Sequence, residues 1–157
     1  MSITLQSAAF SEGAAIPRRF TGDGEDLSPP LSWEGLPAAT RELAIVVDDP
    51  DAPTSEPWVH WVIYKLPATQ EGLTEGVPPL PRPKSPLGSI QGRNSWNSLG
   101  YKGPAPPKGH GVHRYVFRLY ALDRALDLPE GLDKTGLLKA IRGHVLAEAE
   151  LMGTYQR

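Results

Sequence analysis

The sequence predicts a mainly β fold, and three observations carry that prediction. The 157 residues include 16 Gly and 17 Pro, well above average usage and typical of a loop-rich protein. The hydrophobic fraction is 39%, with 4 Trp and 5 Tyr, which argues for a folded core rather than disorder. The apolar runs are short and bounded by turn residues, as in packed antiparallel sheets. We expect a single domain over residues 1–157.

Three apolar runs are predicted as the main strands. LAIVVD (43–48) is continuous and β-branched, so we expect it in the middle of a sheet, buried on both faces. VHWVIYKL (59–66) is aromatic and β-branched and ends at Pro67, and HRYVFRLYAL (113–122) alternates in polarity. Weaker patterns predict short strands near ITLQ and at LSW (31–33).

The C-terminal part predicts one helix followed by one more strand. In DKTGLLKAIRG, Asp133 is a candidate N-cap and Gly143 a candidate stop, with apolar residues at helical spacing between them. HVLAEAELMGTY alternates Glu with apolar residues and therefore favours a final strand. The Pro/Gly-rich stretch from Pro67 to Gly111 is expected to be a functional loop, because neither flank carries enough strands to fold alone.

Charge and composition restrict the function classes. A formal net charge of -2, with acids and bases spread along the chain, gives no reason to expect nucleic acid or an anionic membrane. Without cysteine, the chain has neither disulfides nor a thiolate nucleophile. No apolar run approaches the roughly 20 residues of a membrane span, and the start does not resemble a signal peptide. We therefore expect a cytoplasmic protein.

Polar residues gather at one predicted edge of the sheet. Asp49 ends the first strand, His60 begins the second, and His113 and Tyr115 begin the third. The short link PDAPTSEP favours antiparallel pairing of the first two strands. If the third strand flanks the first on its other side, all four side chains line one cavity.

The period of two along a strand predicts which of these side chains share a face. On the second strand, that period groups Trp58, His60, Val62 and Tyr64. Simpler interpretations stay open at this point. DDPDAP is also ordinary turn chemistry, and a single His in a strand is often a core residue. The two His of GHGVH have metal-ligand spacing, but the glycines indicate a loop, so we do not expect a metal.

Five motifs together resemble the phosphatidylethanolamine-binding protein family. They are DPDAP, WVHW, PPKGHGVHRYVFRLYALD, TGDGEDLSPPLSWEGLP and GHVLAEAELMGTYQR, of which the last two are similar to its bacterial and archaeal branch, the Raf-kinase-inhibitor-like proteins. The resemblance implies a β-sandwich of two antiparallel sheets with one or two short peripheral helices. It also implies a small pocket for phosphate- or carboxylate-like anions.

The family's pocket residues match this sequence one by one. The resemblance implies that the ligand-binding residues are Asp49, Asp51, Pro53, Trp58, His60, Gly103, Pro106, Pro107, His113 and Tyr115. Relatives often carry Cys where this chain has Gly22 and Ala105, which excludes a redox role here. They also hold a cis peptide just before the matching Trp, so we expect a cis Glu56–Pro57 bond.

The expected function is that of a small-anion-binding or regulatory module, not an enzyme, without a cofactor. The expected partner is a small anion such as phosphate, sulfate, acetate or a phospholipid headgroup, and homodimerisation stays open. One alternative is a metal-independent hydrolase with His60 as base and Asp49 as its orienting acid, although no Cys or GxSxG elbow supplies a nucleophile. Another is a protease- or kinase-inhibitory protein, for which a protruding, strand-like loop within 67–92 is the sign.

Overall fold

A computed structural model describes residues 2–157 as two antiparallel sheets, which confirms the predicted mainly β class. The three-stranded sheet has the order β1-β2-β5, and the five-stranded sheet has the order β6-β4-β3-β7-β8. The strands are β1 (Thr4–Gln6), β2 (Leu31–Glu34), β3 (Glu42–Asp49), β4 (Trp58–Pro67), β5 (Gly72–Leu73), β6 (Ile90–Gln91), β7 (His113–Leu122) and β8 (Val145–Tyr155). A 3-10 helix covers Arg18–Phe20, and the helix α1 covers Lys134–Ile141.

The long strands lie where the sequence pattern predicts them. β3 is the middle strand of the larger sheet, with β4 and β7 as its antiparallel neighbours, and it is buried from Leu43 to Asp49. The final alternating segment is indeed a strand, β8, paired with β7. The sequence did not predict β5, β6 or the 3-10 helix, since each spans only two or three residues and shows no alternating apolar pattern.

The helix α1 begins and ends at the predicted signals. The side chain of Asp133 accepts a hydrogen bond from the backbone N–H of Gly136 at 2.8 Å, as an N-cap should. Gly143, two residues after the helix, has a φ of +85°, a conformation that glycine adopts without steric cost. Within residues 2–157, no helix is long and apolar enough to cross a bilayer.

The five-stranded sheet is apolar on both faces. Its inner face packs against the smaller sheet, and that layer includes Trp33, Ile45, Trp61 and Phe117. Its outer face is covered by α1, through Leu137 and Ile141, and by the loops that flank the helix. Burial on both faces explains why the β3 sequence is a continuous apolar run rather than an alternating one.

A β-bulge in β4 changes the predicted facing of its side chains. Val47 of β3 pairs with Trp61, but the next residue, Asp48, pairs with Val59, so His60 is an extra residue in the ladder. Val62 and Tyr64 therefore pack in the outer layer under α1. Trp58 and His60 instead line the cavity described below. The predicted common face was wrong for Val62 and Tyr64, because the bulge breaks the period of two.

Candidate functional site

A cavity of about 210 Å³ opens at the end of the inner layer, where β3 ends and β4 and β7 begin. Eight of its lining residues are among the ten that the family resemblance implies. The full lining is Asp49, Ala52, Pro53, Thr54, Trp58, His60, Trp96, Ala105, Pro106, Pro107, His113 and Tyr115.

The turn between β3 and β4 builds one wall of this cavity. Asp49 is the last residue of β3, and its Oδ1 accepts a hydrogen bond from the N–H of Asp51 at 2.8 Å, which closes the start of the turn. The turn places Pro53 against the cavity and returns the chain at Trp58. The Glu56–Pro57 bond is trans, and the cis bond within residues 2–157 is Ser85–Pro86. The cis prediction was therefore wrong, because the turn delivers Trp58 with the isomer that X–Pro bonds ordinarily prefer.

Asp49, His113 and His110 form a series of close polar contacts that runs from the sheet to the surface. His113 is 1% exposed, and its Nδ1–H donates to Oδ2 of Asp49, which is 3% exposed, at 2.6 Å. Its other ring nitrogen, Nε2, lies 2.6 Å from Nδ1 of the exposed His110. Both nitrogens of His113 are thus engaged by protein groups. The pairing of Asp49 with His60 expected for a hydrolase was wrong, because Oδ1 of Asp49 accepts from the N–H of Asp51 and Oδ2 accepts from His113.

His60 is held instead by the loop before β7. Its Nδ1 lies 2.5 Å from the carbonyl oxygen of Lys102, so Nδ1 carries the proton and donates it. The Lys102 N–H donates in return to the His60 carbonyl at 3.0 Å. Burial lowers the pKa of His60, and this effect outweighs the Lys102 hydrogen bond and the nearby carboxylates of Asp49 and Asp26, which raise it. At neutral pH the ring is therefore uncharged, with a lone pair on Nε2.

Tyr115 supplies a phenol to the same cavity. Its ring meets that of His60 edge to face, with centroids 5.1 Å apart. Burial raises the pKa of Tyr115 well above its usual value, and the negative charge of Asp49 raises it further. The hydroxyl therefore keeps its proton and can donate a hydrogen bond.

Each acid of the DDPD segment is matched with a base. The pairs are Asp48 with Lys134 at 2.6 Å, Asp49 with His113 at 2.6 Å, and Asp51 with Arg114 at 2.8 Å. Asp48 points to the outer side of the sheet, towards α1. The carboxylate of Asp51 accepts from the backbone N–H, Nε and Nη2 of Arg114. These contacts explain why an acid-rich segment does not leave an unpartnered carboxylate in the cavity.

Two predicted site residues do not line the cavity. Asp51 turns away from it, because its carboxylate is held by Arg114. Gly103 is a packing residue behind the wall: its N–H donates to Oδ1 of Asp26 at 2.7 Å, and a Cβ there would lie 2.2 Å from the carbonyl oxygen of Phe20. Both positions therefore support the cavity without contacting its interior.

Sequence reasoning missed Trp96 and His110. The ring of Trp96 lies 4.9 Å from His60 and 5.5 Å from Trp58, and it forms the more exposed wall of the cavity. Its loop is fixed by Asn94, whose Oδ1 accepts from the N–H groups of Trp96 and Ser98. The sequence signal that could have identified Trp96 is an aromatic residue placed between turn-forming Asn and Ser residues. Ala52, Thr54 and Ala105 complete the wall and carried no signal of their own.

The alternative functions have their own structural signs. Within residues 2–157, neither His60 nor His113 is hydrogen-bonded to a Ser or Thr hydroxyl. In that same range, no group of three or more His, Asp or Glu side chains is arranged to hold a metal ion. The segment 74–89 contains no strand, and Gln91 ties it down by donating to the carbonyls of Pro78 and Leu80. Within the expected range 67–92, β5 and β6 flank this segment, and the inhibitory alternative stays a prediction.

Comparison with known proteins finds one family whose match includes all the residues that line the cavity. A family model described as phosphatidylethanolamine-binding protein matches residues 6–156. The chain is 52% identical over 155 residues to a UPF0098 protein of the archaeon Methanothermobacter thermautotrophicus, covering 99% of both chains. It is similar to the solved structure of CT736, a PEBP homologue of Chlamydia trachomatis, with 39% identity and a TM-score of 0.89, covering 99% of this chain and 98% of that one. It is also similar to Escherichia coli YbcL, with 29% identity and a TM-score of 0.92, covering 100% and 99%.

Proposed function

Because the chain belongs to the phosphatidylethanolamine-binding protein family, a family of binding modules, we propose that its cavity binds a small anionic group of the phosphate or carboxylate kind. The observation that carries the proposal is that the three acids of the DDPD segment are hydrogen-bonded to Lys134, His113 and Arg114. The ammonium of Lys134 and the guanidinium of Arg114 offset the charges of Asp48 and Asp51, so these two acids repel an incoming anion less than free ones. The carboxylate of Asp49 is bound by the N–H groups of His113 and Asp51. Nε2 of His60 makes no hydrogen bond within residues 2–157, and the hydroxyl of Tyr115, a neighbour of the Asp49 carboxylate, belongs to the same cavity wall.

The size and walls of the cavity indicate what kind of group it holds. About 210 Å³ is less than the roughly 300–1,000 Å³ of pockets for drug-sized ligands, so a small group fits and a whole lipid does not. Trp58, Trp96 and the prolines make most of the wall apolar. Such walls exclude water and strengthen the few hydrogen bonds that a bound anion makes.

Titration calorimetry on protein purified without phosphate tests the proposal. Inorganic phosphate, acetate and phosphoethanolamine are titrated separately, and the fluorescence of the lining residues Trp58 and Trp96 reports whether binding occurs in this cavity. Tyr115→Phe removes one hydrogen-bond donor without changing the ring, and it should weaken phosphate binding roughly tenfold or more. His144→Ala is the control, because that imidazole pairs with Asp123 outside the cavity and its loss should leave affinity unchanged.

The result that would contradict the proposal is equally direct. If none of the three compounds binds at millimolar concentration, the cavity is not an anion site. Binding that Tyr115→Phe leaves unchanged would place the anion elsewhere on the protein.

A further inference from the structure

The chemistry of His60 restricts which anion the cavity accepts. The ring is 3% exposed and lines the cavity, yet its Nε2 makes no hydrogen bond to any residue in the described range 2–157. Since Nδ1 is committed to donating to Lys102, Nε2 is the acceptor of the neutral ring. Nε2 opens on the cavity, where water can satisfy it, so an anion that displaces this water has to supply a hydrogen to Nε2 or leave it unpaired at a cost.

We propose that the cavity selects an oxyanion that carries an ionisable proton, namely phosphate or a phosphate monoester, over sulfate, carboxylates and phosphodiesters. The inference rests on the proposed function and names the ligand class of that same site. One P–OH group donates to Nε2 of His60, while a neighbouring P–O⁻ accepts from the hydroxyl of Tyr115, which turns to the ligand from the Asp49 carboxylate. Sulfate at neutral pH has only acceptors, so one of its oxygens would face the lone pair of His60.

Other groups near the cavity do not remove this restriction. The second imidazole, His113, cannot supply a donor in its place, because Nδ1 is taken by Asp49 and Nε2 by His110. Protonating His60 would turn Nε2 into a donor, but burial opposes that change. The charged or titratable groups that face His60 from the surrounding elements are Asp49 of β3, Asp26 of the loop before β2, and Tyr115 of β7, and Asp48 acts on it only through its charge from the outer side of the sheet. Their carboxylates favour a proton on His60, but burial is the larger effect.

The expected discrimination is large. Sites that hydrogen-bond a substrate hydroxyl reject analogues without it by factors of about 10⁴–10⁵ when the site is fully enclosed. This cavity is open at Trp96, which is 39% exposed, so water can partly satisfy His60 in the wrong complex. We therefore expect a phosphate-over-sulfate preference of about 100-fold at pH 7.

The experiment compares four probes on the full chain at pH 7 by titration calorimetry: inorganic phosphate, methyl phosphate, sulfate and dimethyl phosphate. The first two should bind and the last two should bind about 100-fold more weakly or not at all. Dimethyl phosphate reproduces the phosphodiester of a lipid headgroup, so its arm separates a lipid source of phosphate from a free one. The affinities of the wild-type protein for these four probes are sufficient to test the proposed selectivity.

Two variants at one position test the role of His60 directly. In His60→Gln the amide can rotate to present either its oxygen or its NH₂ group to the ligand, so the preference should fall below about tenfold through better sulfate binding. In His60→Asn the amide is too short to reach the position of Nε2, so the preference should fall through weaker phosphate binding. Sulfate binding as tight as phosphate in the wild type overturns the selectivity but leaves anion binding intact. Absence of binding by all four probes overturns both.

Discussion

Removing the carboxylate of Asp49 should destabilise the fold far more than removing that of Asp51, two residues away. The two substitutions are Asp49→Ala and Asp51→Ala, which have the same chemistry in the same turn. Asp49 is 3% exposed and pairs with the buried His113, whereas the Asp51 carboxylate is at the surface beside an exposed Arg114. Burial, and not the number of hydrogen bonds, sets the expected difference.

The magnitudes follow from the partners that each change leaves behind. Asp49→Ala removes the acceptor of a buried Nδ1–H on His113 and the acceptor of the Asp51 N–H. Breaking a buried pair costs about 3–5 kcal/mol, and water entering from the adjacent cavity should reduce this to about 3 kcal/mol. Asp51→Ala removes more hydrogen bonds, but with an exposed guanidinium, so the cost should be about 1 kcal/mol or less.

Urea denaturation at pH 7 measures the difference. With an m-value of about 2 kcal/mol per molar, the midpoint should fall by about 1.5 M for Asp49→Ala and by about 0.5 M for Asp51→Ala. The melting temperature should fall by roughly 6–12 °C for the first variant and 2–4 °C for the second. Equal losses for the two variants would refute the reasoning, since surface and buried pairs would then contribute alike.

Three further predictions concern other contacts. His110→Ala should tighten inorganic phosphate binding about fivefold, because it frees Nε2 of His113, an acceptor while Nδ1–H donates to Asp49, to take a second P–OH; weaker binding in calorimetry would show that His110 belongs to the ligand site. The pKa of Asp51 is lowered from 3.8 to about 2 by its hydrogen bonds to the neighbouring guanidinium, so its contribution of about 1 kcal/mol is present above pH 4 and lost as pH falls towards 2. In Asp51→Asn, the urea midpoint should therefore change less between pH 5 and pH 2 than in the wild type. The same pH dependence in both proteins would contradict this. A Cβ at Gly22 would lie 3.1 Å from that of Ala105, so the pair Gly22→Cys and Ala105→Cys should oxidise to a disulfide after a small outward shift and stabilise the fold by at most about 4.5 kcal/mol. A melting temperature that dithiothreitol does not lower would disprove it.

The sequence predicted those parts of the fold in which side-chain pattern and backbone agree. β3 is recognisable because a central strand must be apolar on both faces, and β7 because it alternates from His113 to Leu122. The same logic brought Asp49 and His60 to one edge of the sheet. The choice of hydrogen-bond partners could not be predicted, because it depends on angstrom-scale register. Asp49 and Asp51 look alike in sequence, but one turns inward to an imidazole and the other outward to a guanidinium.

The bulge at His60 is the feature that pattern reasoning could not supply, and it is the one on which the site depends. Counted from the core residues Trp61 and Ile63, strict alternation would place His60 on the outer face with Val62. The extra residue in the ladder brings the imidazole to the cavity instead and leaves the phase of the core unchanged.

The bulge also frees the His60 backbone from its place in the β-ladder. Its carbonyl accepts from the N–H of Lys102, while its Nδ1–H donates to the Lys102 carbonyl. This double contact fixes both the position of the ring and its tautomer, because a carbonyl can only accept. The irregularity of β4 therefore determines that the cavity presents an acceptor at Nε2. Through this acceptor, it also determines the protonation state of the ligand that we propose the cavity selects.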